Sequence, residues 1–538
     1  MEISTQKFRY LFPILMLLLL QGCNEIRLQV PSSEVSSNRE SNIILDASLI
    51  EHPSEYFFEQ QEEAHITDYL ILENKPPEKE DSPEKAYEGV PEQRPDDGSW
   101  AQKISAELFG ARPQVVVDSE NNIYIAASLN GPITIENKTY RSPHKNRLLI
   151  AKLDKHGKWL WVIFIPSTKH NFVSGLLYDE TKKQLSLVGV FQGTVFLGKT
   201  KWSSENYRSS YILRITHQGK QLGAVLLNST KEMVAEKLIL GENGSFLLAG
   251  YFSGKVHQGT FNLDIQKGLG LFVVCLKNDN RWEWGVQTHI PEGTIASVSL
   301  QDIMYFSGKH ILLLGIYRKD MTVGKIKLTT KDNTAQQFLA GLTHSGQWLW
   351  AKKLGVPYDL HVETLTASPK GKLYATGRFS KKQQFGKTIL QTANLTPYPD
   401  LFVAEMDWVG DWLWAKSAGS PTGFDMGRAI STTPNGNIIV TGTFREKSHF
   451  GNTTLESKGQ SDIFVASLSP QGKWLWVKQG RSKERAKSLF ITSDKDGHPI
   501  INGGFDGDIS LEGIKLHGST HHSTLFIWKL PRNTGKAP

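Results

Sequence analysis

The chain has 538 residues, with 61 basic and 54 acidic side chains, a formal net charge of +7 and 39% hydrophobic residues. Its two cysteines, Cys23 and Cys275, exclude a fold built on a disulfide framework. The charge is divided along the chain. Residues 24–97 carry 19 acidic and 6 basic side chains (net −13), and residues from 98 onward carry 53 basic and 34 acidic (net +19). Such a balance argues for association with anionic partners rather than for any particular fold.

Lys7 and Arg9 form a positive segment ahead of an apolar run over residues 11–20, which is signal-peptide length and too short to span a bilayer as a helix. The next residues, Leu20-Gln21-Gly22-Cys23, resemble a bacterial lipobox. The resemblance implies that residues 1–22 are a lipoprotein signal peptide, that Cys23 is lipidated through its sulfur, and that cleavage precedes it. Asn24 after the cysteine points, by analogy with lipoprotein sorting, to the outer membrane. Several acyl chains give the stable membrane anchoring that one chain does not.

Residues 23–97 read as an acidic disordered tether, with P-S-S-E-V-S-S, K-P-P-E-K-E-D-S-P-E-K and P-E-Q-R-P-D-D-G and no copy of the later repeat. Two apolar stretches inside it, I-I-L-D-A-S-L-I and Y-L-I-L-E, are suited to docking or to a short transient element.

From residue 98 a different pattern takes over. A strand of the form F-V-A-x-L begins at residues 149, 211, 272, 338, 402, 464 and 526, at spacings of 62, 61, 66, 64, 62 and 62. Six copies lead through a short turn to another strand. Five of these carry Trp-x-Trp, while the Tyr211 copy leads to Gln221/Gly223. Each unit also holds a hairpin such as T-T-P-N-G-N-I-I-V-T-G-T-F, with Asn435-Gly436 as its turn and a Gly-x-aromatic at its end. The unit therefore predicts four main strands and a small extra hairpin, with no helix. The seventh copy meets Pro531 and a polar tail (531–538), while G-S-W-A-Q-K at 98–103 stands ahead of the first copy without a partner, in the register of G-K-W-L-W, which sets Trp100 at the first tryptophan. The expectation is an all-β, seven-bladed β-propeller over 98–530, built of about 62-residue repeats and closed by the N-terminal strand. Closure hides two sheet edges.

The series G-x-W-L-W-A-K, G-N-I-x-V-T-G-x-F, F-G and D-x-F-V-A-x-L resembles the bacterial SBBP-type β-propeller repeat. The resemblance spans about residues 98–530 and is clearest in the last two units. It implies an exported or surface-located protein of a group mostly without an assigned reaction. A weaker likeness to quinoprotein-type repeats rests on 153–161, but their repeat is shorter.

Reaction motifs are missing: there is no Gly-rich phosphate loop, G-x-S-x-G, H-E-x-x-H or C-x-x-C. Cys275 falls at a blade position held elsewhere by Lys152, Arg214, Gly341, Glu405, Ser467 and Lys529, which suits an inert thiol. His517, His521 and His522, with His498, read as solvated loop residues. Asp494-Lys495-Asp496-Gly497 reads as a hairpin turn rather than a calcium loop. The expectation is thus no catalytic residue, no metal site and no cofactor. The leading function is a non-enzymatic scaffold, anchored at Cys23, that binds an envelope protein or an anionic polysaccharide and not nucleic acid. The alternative is a lyase, glycosidase or quinoprotein-like dehydrogenase working at the channel mouth. Converging carboxylates, or an aromatic stacked with an arginine, would favour the enzyme, and a merely basic mouth the scaffold. The loops at 168–172, 356–361, 421–426 and 481–485 border that mouth.

Overall fold

The structure is a computed structural model that describes residues 25–29, 42–46, 98–108, 112–142, 146–198, 200–291, 297–306, 310–331, 334–392 and 398–532. Cys23, the leader and nearly all of the tether lie outside the described residues. The chain divides into two units, Met1–Pro76 and Pro77–Pro538. In the first, Glu25–Gln29 pairs antiparallel with Asn42–Asp46, so part of the expected I-I-L-D-A-S-L-I stretch is a strand. Among the described residues no helix is long and apolar enough to cross a membrane.

The second unit is an all-β propeller whose only helical element among the described residues is a single 3-10 turn, Glu242–Gly244. Its repeating sheet is seen in Met426–Thr432, Ile438–Phe444, Asp462–Leu468 and Trp474–Ser482, paired antiparallel in that order. The third strand is buried at every position. Alternate side chains of a strand point to opposite faces. Ile463 and Val465 accordingly enter one apolar cluster, and Phe464, Ala466 and Leu468 enter another. Each F-V-A-x-L copy is therefore apolar apart from its x position because sheets stack on both of its faces.

The seven-bladed expectation is corrected: five blade sheets stand separately, with four or six strands each, and the rest of the repeat region forms one nine-stranded sheet and two small two-stranded hairpins, Lys382–Phe385 with Thr388–Gln391 and Lys447–Phe450 with Thr453–Glu456. The cause is the N-terminal strand Trp100–Leu108. Its first half pairs with Thr524–Lys529, setting Trp100 opposite Lys529 and Ile104 opposite Leu525. Its second half continues onto Ile123–Ile135, with Ile104 opposite Ile135 and Leu108 opposite Leu129. One strand thus welds the last unit to the first. The extra hairpins add further links: Asp508–Leu511 extends the sheet of Trp474–Ser482, and Met321–Val323 extends that of Trp282–His289.

The register also places Trp100 at the second tryptophan of Trp-x-Trp, since Ser467, the counterpart of Lys529, faces Trp476. That tryptophan packs on the turn glycine of the next unit. A Cβ built on Gly157 would lie 2.6 Å from Trp100, and the same clash arises at Gly219 with Trp161 (3.2 Å), Gly346 with Trp284 (2.6 Å) and Gly472 with Trp414 (2.7 Å). The Trp100 indole also donates to the Lys155 carbonyl at 3.0 Å, as Trp161 donates to His217 at 3.1 Å. The first tryptophan serves the small hairpin instead: Trp474 meets Phe450 edge-on at 5.6 Å, and Trp412 meets Phe385 at 5.0 Å.

The glycine of Gly-x-aromatic faces a β-bulge. Gly442 pairs with Gly427, beside the register shift at Arg428, and a Cβ on Gly442 would sit 1.9 Å from the Met426 carbonyl oxygen. Gly377 meets the His361 carbonyl and Gly503 the Lys487 carbonyl in the same way, at 1.9 and 2.0 Å. Gly442→Ala should therefore cost about 1–3 kcal/mol of overpacking, read as a lower urea midpoint. Gly131→Ala, inside the strand Ile123–Ile135 with nothing within 4 Å, pays only for its positive φ. Equal losses would remove the bulge from this explanation.

Candidate functional site

The first strands of the units, Gln114–Val117, Asn171–Asp179, Met233–Leu240, Ser297–Phe306, Leu360–Ala367, Met426–Thr432 and Ala486–Ser493, touch in succession, and the last returns to the first. They line the axis. In all but the first of them, the register against the second strand shifts by one residue. The bulged residues are Ser174, Glu236, Gln301, Glu363, Arg428 and Leu489. A bulge re-aims the side chain it carries, and here several of these side chains reach the neighbouring first strand. Ser174 Oγ donates to the Ala235 carbonyl at 2.5 Å, and the Leu300 amide donates to Glu236 at 3.2 Å.

Around Glu363 this girdle becomes an arginine cluster. The carboxylate is 2% exposed and receives Arg112 Nη2 at 2.9 Å, from the segment just before Gln114–Val117. Its other oxygen has Arg428 at 3.8 Å, His361 Nε2 at 3.9 Å and Arg378 at 4.0 Å. Arg112 also donates to the Arg428 carbonyl at 3.4 Å, joining non-adjacent strands of the ring. Register puts these groups at one edge: Arg378 lies opposite His361 near the start of its first strand, and Arg318 lies opposite Ser297 at the start of another. Tyr358, 55% exposed, interacts electrostatically with Arg318 and Arg378.

Burial would push the Glu363 carboxyl up, but Arg112, His361, Arg428 and Arg378 together hold it well below the ordinary range. Burial lowers the Arg428 guanidinium to about 10, still charged at neutral pH, and lowers the His361 imidazole to about 4, only partly offset by Glu363. The set is therefore cationic at pH 7, with a neutral histidine. Other ion pairs near the starts of first strands join one base to one acid, as in Arg485 with Asp506 at 2.8 Å, Arg208 with Glu232, and Lys381 with Asp359 at 3.2 Å. Around Glu363, three arginines share one carboxylate, and Arg318 has no ion pair among the described residues.

A pH consequence follows. Between about 6.5 and 4 the unfolded chain protonates His361 while the native state refuses the proton, so its contribution to stability falls as pH drops. Asp425, pushed up to about 6 by burial, acts oppositely, because the native state holds that proton more tightly than the unfolded chain. In His361→Gln the histidine contribution is removed while the Asp425 effect remains. The urea midpoint of the variant should fall less than that of the wild type from pH 7 to pH 5, and an equal fall would contradict the assignment.

The other sequence candidates do not converge here. Asp494, Asp496 and His498 form the one group of potential metal ligands among the described residues. Asp494 is already spent: it accepts from the Asp496 and His498 amides and lies 2.8 Å from Lys529 Nζ, so a lysine ammonium stands where a cation would compete. The turn reading of 494–497 is what the backbone shows, with Gly497 N donating to the Asp494 carbonyl at 3.1 Å. His517 faces Asp508 at 3.0 Å in the extra hairpin. Cys275 is buried, and desolvation pushes its thiol up to about 11, away from the reactive thiolate. It borders a cavity of about 430 Å³ that also holds Glu242, Tyr305 and His344. Cys23 lies outside the described residues. Of the four loops that sequence placed at the mouth, 356–361 supplies Tyr358 and His361, while Asp425 of 421–426 is buried in its own blade, accepting from Ser448 Oγ and the Ser420 amide. The arginines come from strands (Arg318, Arg378 and Arg428) and from the segment before Gln114–Val117 (Arg112), and were missed.

No protein-family model matches the chain. It is 22% identical over 499 residues to the uncharacterized WD repeat-containing protein L264 of Acanthamoeba polyphaga mimivirus, covering 76% of this chain and 36% of that protein. The chain thus spans about a third of the length of that relative. Among solved structures it is similar to Penicillium chrysogenum alpha-L-arabinanase, at 11% identity and a TM-score of 0.34, covering 68% of this chain and 93% of that one. It is also similar to Synechocystis apocarotenoid oxygenase, at 9% identity and a TM-score of 0.39, covering 83% and 95%. Likeness at this level carries no chemistry from those enzymes to this chain.

Proposed function

We propose that this protein is a membrane-anchored binding scaffold of the bacterial envelope, held through Cys23, whose propeller receives an anionic polysaccharide or an acidic protein surface at its channel mouth. The observation that carries the reading is the gathering of Arg112, Arg378 and Arg428 on the single carboxylate of Glu363. The lipobox and the basic +19 portion support the same reading. Dextran sulfate should bind the full mature chain at low salt and release as ionic strength rises past the point where the Debye length falls to about 8 Å. Binding that is absent at low salt, or indifferent to salt, would sink it. The anchor has its own test: Cys23→Ser should abolish incorporation of labelled palmitate and detergent partitioning, and retention of both would remove the lipid anchor from the proposal.

A further inference from the structure

We infer that the mouth beside Glu363 is a built site for one oxyanion group (carboxylate, sulfate or phosphate), with Glu363 as an internal counter-ion that the incoming group partly replaces. The inference rests on the basic-mouth reading above and narrows it from a charged surface to a place and a chemical class.

Three observations carry it. First, the arginines differ in access: Arg112 is 40% exposed, whereas Arg378 and Arg428 are 16% and 14% exposed behind it. A ligand group therefore meets Arg112 from outside while the other two supply field from behind, which suits one small group rather than a long polymer laid flat. Second, Arg318 and Tyr358 stand at the same edge. Burial raises the Tyr358 phenol, so it stays protonated and able to donate at neutral pH. Third, guanidinium forks match planar carboxylates and tetrahedral oxyanions through paired N–H donors, a geometry that an ammonium lacks. Glu363 already holds Arg112 through a single bond, Nη2 donating at 2.9 Å, while Arg112 Nη1 donates to the Arg428 carbonyl at 3.4 Å. The native side chain is thus a resident example of the ligand chemistry, and its charge opposes entry of a second anion.

The sign of that opposition gives the test. Affinities of the full mature chain for inorganic phosphate, inorganic sulfate and glucuronate are measured by calorimetry at fixed ionic strength, alongside dextran sulfate. Arg318→Gln, which breaks no ion pair of the described structure, should weaken the small anions by about tenfold, and Glu363→Gln should tighten them by about tenfold, the scale of one nearby charge at partial exposure. The tightest of the three anions in the wild type identifies the source of the group. A purely structural Glu363 predicts instead that Glu363→Gln leaves anion affinity unchanged, and that result overturns the inference. If Glu363→Gln does not fold in chloride, refolding in phosphate at equal ionic strength should recover it, and failure in both salts overturns the inference as well. Dextran sulfate bound equally by wild type and Arg318→Gln, with no competition from small anions, would overturn this site while leaving the basic scaffold standing. No dextran sulfate binding by any form would refute the scaffold reading itself.

Discussion

A mature chain lacking residues 24–103 should lose cooperative folding or melt far below one lacking residues 24–92. Both truncations remove the acidic tether, and only the longer one removes Trp100, Ala101, Gln102 and Lys103. Those residues pair with Phe526–Lys529 and bury Trp100 to 2% exposure against the turn glycine Gly157. Gln102 also donates to the Gly157 carbonyl at 3.0 Å. Burial of one such aromatic contributes about 2–3 kcal/mol, a substantial part of the roughly 5–15 kcal/mol that holds a typical domain. The longer truncation additionally leaves the 524–529 strand as an open edge, which templates association. The measurement is the urea midpoint together with the sedimentation profile of each truncation. Equal midpoints would show that the closing strand does not hold the ring.

Glu363→Ala should be the most damaging single substitution on the axis. The side chain is the shared counter-ion of Arg112, Arg378 and Arg428. Removing one partner of a buried ion pair costs about 3–5 kcal/mol, because the remaining charges are left uncompensated in a poorly hydrated place. The cost should depend on pH with a definite sign. A carboxyl held below its ordinary value stabilises the fold above the unfolded value of 4.5 and loses that contribution as pH falls through its native value. Wild type and Glu363→Ala should therefore differ by a constant amount above about pH 4.5 and converge as pH falls from there toward about pH 2. Curves that stay parallel across that range would mean that the carboxylate is not the group the arginines hold.

The repeat was legible because burial on two faces demands apolar side chains on both, and F-V-A-x-L supplies them at every copy on either side of its variable x position. The Gly-x-aromatic was legible as a close backbone approach, and the carbonyl at 1.9 Å from a Cβ on Gly377 and Gly442 is that approach. Three things were not. The sheet count failed because hydrogen bonding from Ser105–Leu108 to the 129–134 stretch leaves no mark in an apolar pattern. The precise place of Trp100 failed because S-W-A-Q-K offers one tryptophan where the repeat has two, and only the pairing with Lys529 decides between them. The mouth failed because a bulge moves Glu363 and Arg428 out of the strand alternation from which facing is read. One signal was available: Arg378 fills the middle of Gly-x-aromatic, where the corresponding residues are Val190, Tyr251, Ile316, Thr443 and Gly504.

The central claim, that anions dock at this arginine mouth, is tested most directly by mapping arginine protection. The full mature protein is treated with phenylglyoxal at low salt, with and without dextran sulfate, and modification is read at each arginine by mass spectrometry. The account predicts strong protection at Arg112 and Arg318, with little change at Arg281, a 77% exposed side chain paired with Asp279. Protection spread over outer arginines, with Arg112 and Arg318 modified at the same rate in both samples, would contradict it.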